Sequence, residues 1–240
     1  MKFTEVFILN ISIDSKRFVT SVQNGLTNAR NEIYVSNTLT DNRKHMEKWD
    51  YIVTAVKESF EHQEKYSFIP LDRGLFKPIM IFDKEEKTLY TIIKNKNFDK
   101  LLNRKSIDKI HYIDAMLDYN LSYQTTPEQI TWSEMDNMFS DNAVDEIRDL
   151  QTNIETMLCS DEIKEYITIV IDFNGYTLTD AKAVLCSKWL EIIYENDWKE
   201  FITPSYNDIE DNGKIDFVQE TEIKSMISLK PTVRKADEIV

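Results

Sequence analysis

Three short apolar runs decide how this chain folds: Tyr66-Ser67-Phe68-Ile69-Pro70-Leu71, Lys77-Pro78-Ile79-Met80-Ile81-Phe82 and Thr88-Leu89-Tyr90-Thr91-Ile92-Ile93. Each is rich in β-branched and aromatic residues. Turn chemistry separates them, Arg73-Gly74 first and then Asp83–Lys87. Upstream, Trp49, Ile52, Val53, Val56 and Phe60 recur at helical spacing with charges between them. Downstream, Phe98, Leu101 and Leu102 start a second helical pattern. Residues 49–104 therefore predict helix, antiparallel meander, helix.

Working outward, Asp14 or Ser15 caps a helix whose inner face is Phe18, Val22, Leu26 and Ala29, with Asn24-Gly25 weakening its middle. Ser106 reads as the cap of a helix reaching Leu117. Asp141 or Asn142 opens another, with Val144, Ile147, Leu150 and Ile154 inward. Tyr166–Phe173 is β-branched almost throughout and reads as a central strand covered on both faces. After the Asn174-Gly175 turn, Ala181, Leu185, Trp189, Ile192 and Ile193 suggest a long helix capped by Thr177 or Thr179. The expected class is thus α+β: a short antiparallel meander packed on helices, with a mainly helical acidic second half containing one central strand. A composition shift near residues 119–131 suggests an α+β region over 1–118, an acidic region over 132–220 and a tail over 221–240. A single compact unit is the alternative.

The 240 residues are 42% hydrophobic and 11% aromatic, enough for a sizeable core. Only 4 Gly and 5 Pro are present, which argues against a Gly-rich nucleotide-binding fold. No run of about 20 apolar residues suits a membrane span, and an acid at Glu5 makes a poor signal peptide. Cys159 and Cys186 sit in separate apolar patterns and read as reduced, buried thiols, so a cytoplasmic location is expected. The net charge of −13 is uneven. Residues 1–109 carry 19 basic and 15 acidic side chains, whereas residues 110–240 carry 10 and 27. The second half repels nucleic acid unless it imitates it.

Four patterns bear on chemistry. Asp83 at one strand end and Lys94 at the next evoke a metal-dependent nuclease, but Ile92 stands where the second acid is needed. Turn chemistry in Asp83-Lys84-Glu85-Glu86-Lys87 accounts for the same residues. Asp208, Glu210, Asn212, Gly213, Ile215 and Asp216 follow part of a calcium-loop pattern, yet Gln219 replaces the closing bidentate glutamate, and Asn212-Gly213 favours a hairpin. Lys94, Lys96, Lys100, Arg104 and Lys105 form a basic run with Phe98 interleaved, suited to a phosphate backbone or an acidic surface, or simply a solvated helix face. Asp145, Glu146, Asp149 and Glu155 lie away from the apolar stripe of their helix and form a candidate acidic patch. His45, His62 and His111 have neither metal-ligand spacing nor a neighbouring cysteine.

The motifs Trp49-Asp50-Tyr51, Asp72-Arg73-Gly74-Leu75-Phe76-Lys77, Met80-Ile81-Phe82-Asp83, Leu89-Tyr90-Thr91 and Lys96-Asn97-Phe98 resemble an uncharacterised domain family of low-GC Gram-positive bacteria, their phages and mobile elements. The resemblance covers residues 49–104 and brings no activity with it. It implies a bacterial or phage protein from a host–phage conflict locus. Physically, Arg73 is placed to pair with Asp50 or Asp83, and Trp49 to cover the sheet.

The expectation is a cytoplasmic protein without a catalytic site, metal or cofactor, which binds a macromolecular partner as an inhibitor or as part of a defence or toxin–antitoxin pair. The acidic patch would engage a protein whose basic groove is built for nucleic acid. The alternative is a nucleic-acid-directed enzyme, such as a toxin nuclease, using Arg73, Asp83 and the basic run.

Overall fold

A computed structural model describes residues 11, 13–35, 44–71, 77–104, 111–123, 141–158 and 162–204. The side chains of residues 33–35, 44–46 and 141–146 are outside that description. The N-terminal helix α1 (Ser15–Val35) starts where Asp14 Oδ1 accepts the Arg17 N–H at 2.9 Å, an N-cap bond. Its expected inner face is fully buried: Phe18, Val22, Leu26 and Ala29. Helix α2 (Lys44–Phe60) buries Ile52, Val56 and Phe60.

Gly25 marks the crossing of these two helices. A Cβ there would sit 2.7 Å from Ile52 Cα and 2.7 Å from the Tyr51 carbonyl oxygen. The residue that weakens α1 as an isolated helix is the one that lets α2 approach it.

The meander follows as expected, with β1 (Tyr66–Pro70), β2 (Ile79–Asp83) and β3 (Thr88–Lys94). Both pairings are antiparallel. Among the described residues, three helices come next: α3 (Asn95–Leu102), α4 (Tyr112–Leu117) and α5 (Asp141–Met157), with a 3₁₀ turn at Asp118–Asn120. The chain then returns as β4 (Glu165–Asn174), parallel to β3 from Thr88↔Glu165 to Lys94↔Ile171.

The second half departs from expectation here. It is not mainly helical with one strand. Thr177–Cys186 is β5 and Ile192–Asp197 is β6, both antiparallel additions to the same sheet. The helical spacing of Ala181, Leu185 and Trp189 was coincidental with a strand pattern. Ala181, Ala183 and Leu185 face one core, while Val184 and Cys186 face the other. A helix would have scattered Ala183, Val184 and Cys186 around its circumference. A strand buried on both faces uses all of them. Gly175 (φ 57) opens the two-residue hairpin loop, and Asn174 pairs with Thr177 across it. An irregularity at Asp172/Phe173 lets Leu178 share a face with Ala181 despite its odd spacing.

The result is a six-stranded mixed sheet in the order β1-β2-β3-β4-β5-β6. On one face α1 and α2 pack over Ile81, Tyr90, Ile167, Ile169 and Leu185. On the other, residues of α3, α4 and α5 pack over Met80, Phe82, Leu89, Val170 and Val184. β4 is central and buried on both faces, as its sequence suggests. Trp198, after β6, is buried against Phe18 of α1, with ring centroids 5.6 Å apart.

Asn120 holds one end of this sheet. The β4–β5 ladder stops at Thr168↔Val184, and the same register two residues on sets Tyr166 opposite Cys186. The Asn120 amide bridges them. It donates to both carbonyl oxygens at 2.8 Å and accepts the Tyr166 N–H at 2.7 Å. Tyr166 also places its hydroxyl 2.5 Å from Thr91 Oγ1 and 3.2 Å from Thr168 Oγ1, so its buried polar end has partners.

Two stability outcomes follow from these contacts. Gly25→Ala should destabilise the fold by about 1–3 kcal/mol, because both opposing atoms are backbone and cannot rotate away. Asn120→Ala should cost about 2–4 kcal/mol, since it leaves buried carbonyl and N–H groups unpaired. Denaturant melts measure both, and an unchanged midpoint for either variant contradicts the corresponding contact.

Candidate interaction surface

The acidic helix α5 buries Ile154 and half-buries Ile147 and Leu150 against the α4 side of the sheet. Gln151 ties it to α4, donating to the Ala115 carbonyl at 2.9 Å and to Asp118 Oδ2 at 3.1 Å. With that face fixed inward, Asp149 and Glu155 are exposed. Arg148, also exposed, lies seven residues before Glu155 and so on the same stripe. Asp145 is one turn before Asp149, although the side chains of Asp145 and Glu146 lie outside the described residues. Of the four acidic candidates, Asp149 and Glu155 are the ones with described side chains, and six residues apart they do not share one stripe.

The basic run does not stay together. Lys94 reaches along the sheet end, 3.3 Å from the Phe173 carbonyl oxygen, 4.0 Å from the Phe173 ring centroid and 3.9 Å from Asp172 Oδ1. Arg104 is a structural residue. Its guanidinium grips both oxygens of Asp114, at 2.8 and 2.5 Å, and the Asp114 carboxylate is 3% exposed. Asp114 also accepts the His111 N–H at 2.8 Å, while His111 Nδ1 accepts the Ile113 N–H, closing a reciprocal cap on α4. Of the run, Lys96 and Lys100 are exposed on α3, and Lys105 lies outside the described residues.

The nuclease residues are also separated. Asp83 is fully buried. It accepts the Glu85 and Glu86 N–H groups at 3.0 and 3.2 Å and pairs with Lys65 at 3.1 Å, so it organises its own turn. It pairs in register with Thr88 at the start of β3, whereas Lys94 ends that strand, about 20 Å away at strand rise. At that distance Asp83 and Lys94 do not serve one reaction centre. Arg73 and the loop 208–219 lie outside the described residues. Trp49 meets Phe173 edge-on at 6.1 Å, over the end of β4.

Burial governs the remaining reactive group. Cys186 is buried, and removal from water, with Glu195 adding to it, pushes its thiol up to about 12. A thiol held protonated is a poor nucleophile. The Tyr123 hydroxyl, which donates to Glu165 Oε2 at 2.8 Å, is likewise raised to about 12 by burial and then by that carboxylate. Sequence pattern alone missed Asn120, Asp114 and Ser187. Ser187 Oγ accepts the Trp189 and Glu191 N–H groups and shapes the β5–β6 loop, in which Leu190 takes φ 62.

The mixed sheet with helices on both faces sets the class as a three-layer α/β protein. A family model described as "Family of unknown function (DUF5986)" matches residues 11–240, and the chain belongs to that family. A family of unknown function is what the motifs over residues 49–104 suggest, and the match to one covers residues 11–240. No curated protein and no solved structure matches it. No helix among the described residues is long and apolar enough to cross a membrane.

The ion pair and the buried thiol give two outcomes. Arg104→Ala should lower stability by about 2–3 kcal/mol by stranding the buried Asp114 carboxylate, whereas Lys96→Ala and Lys100→Ala should leave it within about 0.5 kcal/mol. Equal melting curves for all three variants would return Arg104 to the solvated surface. In a Cys159→Ser background, Cys186 should resist iodoacetamide at pH 8 until the protein unfolds. The raised thiol value also has a linkage consequence. Stability is fully present below the unfolded thiol value near pH 9 and falls as pH rises toward 12, because the unfolded state loses the proton first. Rapid alkylation of the folded protein would contradict the burial.

Proposed function

We propose that this protein acts by binding a macromolecular partner, with the solvent face of α5 directed at a basic protein surface. The observation that carries the reading is the placement of Asp149 and Glu155. Ile147, Leu150, Ile154 and Gln151 fix the inner face of α5, and the carboxylates are left in water on the other. Exposed carboxylates on one helix steer a basic partner on approach, over a Debye length of about 8 Å at physiological salt.

A basic groove built for nucleic acid is the partner surface that such an acidic helix face fits best. Inhibition of its owner, or membership of a defence or toxin–antitoxin pair, is part of the same proposal. So are a bacterial or phage setting and a cytoplasmic location, which rest on the motif resemblance over residues 49–104 and on the reduced-thiol reading of the cysteines. What supports a non-catalytic role is the use of the reactive groups: Asp83 shapes a turn, Cys186 is buried, and Arg104 and Asp114 satisfy each other.

Affinity capture at low salt, followed by titration of salt against the captured protein, tests this. Binding should weaken at least tenfold between 50 and 300 mM salt, about 1.4 kcal/mol. Asp149→Lys with Glu155→Lys should slow association while leaving the melting curve unchanged. Binding that is indifferent to both salt and reversal would make the α5 carboxylates a solvated surface only.

A further inference from the structure

Strand β6 ends the sheet order, with β5 on one side. Among the described residues, no backbone group outside the sheet bonds to Ile192–Asp197 along its other side. Sheet edges are usually blunted by proline, by shortness, by a covering element, by bulges or by charged side chains. On β6 the guards are an irregularity at Ile192 and the acids Glu195 and Asp197, which repel an anionic strand and not a cationic one. The opposite edge, β1, follows that rule with five residues and Pro70. β6 reads Ile192-Ile193-Tyr194-Glu195-Asn196-Asp197, without proline or glycine. An irregularity beside Ile192 leaves Tyr194–Asp197 in regular register with Lys182–Leu185.

The side chains around this edge have a consistent character. Ile192 is 45% exposed, unusual for a large aliphatic residue here. It pairs with Cys186, and Glu195 and Asp197 pair with Val184 and Lys182, so all three lie on the face that carries α3–α5. Asp180, Glu195, Asp197 and Glu200 supply four carboxylates. Lys182, 3.0 Å from Glu195, and Lys199, 3.3 Å from Asp180, answer two of them. The edge is therefore apolar at one end and negative along the rest.

We propose that β6 is a docking edge for an extended, lysine- or arginine-rich segment of a protein partner, which joins the sheet as a seventh strand. Its main chain pairs with the outer side of β6, its cations face Glu195 and Asp197, and an apolar residue covers Ile192. Charge complementarity selects this occupant over a second copy of the chain, whose own acidic edge would be repelled. The inference rests on the basic-partner reading above but names a different surface and a different mode of contact.

The test uses the full-length protein and a fluorescent eight-residue peptide of alternating lysine and valine. Two controls are a glutamate-for-lysine peptide and a lysine–valine peptide N-methylated at every residue, which removes its donors without touching the protein. Anisotropy should show saturable binding, at least tenfold weaker for each control. Amide exchange should slow at residues 193–197. Three results would overturn strand addition: no binding, equal binding of the N-methylated peptide, or protection confined to α5. The last would leave the basic-partner reading standing, whereas protection at β6 combined with indifference to the α5 reversals would remove the α5 reading and keep this one.

Discussion

The parallel pairing of β3 with β4 is the constraint on which the rest of the structure depends. The chain leaves the sheet at Lys94 and re-enters at Glu165, in register over the full length of β3. A parallel pair cannot be closed by a tight turn, so the intervening chain has to cross over, and here it does so as helices. α3, α4 and α5 all contribute to the core on one side of the sheet, which leaves the opposite face to α1 and α2. The antiparallel hairpins then extend the sheet outward, β2 and β1 on one side and β5 and β6 on the other. Lys164 continues the pairing by donating its N–H to the Lys87 carbonyl oxygen at 2.9 Å. Asn120 closes the sheet end where the β4–β5 ladder stops.

The parts legible in the sequence were those whose cause is local. α1 could be read because Phe18, Val22, Leu26 and Ala29 recur at one spacing behind a capping Asp14. The meander could be read because turn residues separate its apolar runs. The failure over 177–197 was also local in origin. Buried strands lack the alternation of half-exposed ones, so Ala181, Leu185 and Trp189 matched a helical period by chance. The Asn174-Gly175 signal argued for a hairpin and was the better guide. Asn120 was not legible at all. A polar residue near a loop becomes a buried bridge only because two distant strands end beside it.

Charge counting shows the same limit. The basic run is continuous in sequence, yet the fold sends Arg104 to Asp114 and Lys94 to the end of β4, and leaves Lys96 and Lys100 in water. Asp83, attractive as a metal ligand by position, is consumed by its own turn and Lys65. On α5 the amphipathic period gave the inward side, Ile147, Leu150 and Ile154, and Asp149 and Glu155 are exposed. The exposed charges left by this sorting include Lys96 and Lys100 on α3, and Asp149 and Glu155 on α5.

The central claim is that β3 and β4 bind the two halves of the chain into one cooperative sheet. Native-state hydrogen exchange measures it directly, through the denaturant dependence of the amides in β2, β3, β4 and β5. The account predicts that these amides share one opening free energy, equal to that of global unfolding, because no strand on either side can leave without exposing both cores. Two separate isotherms, with β4 and β5 opening while β2 and β3 remain protected, would contradict it.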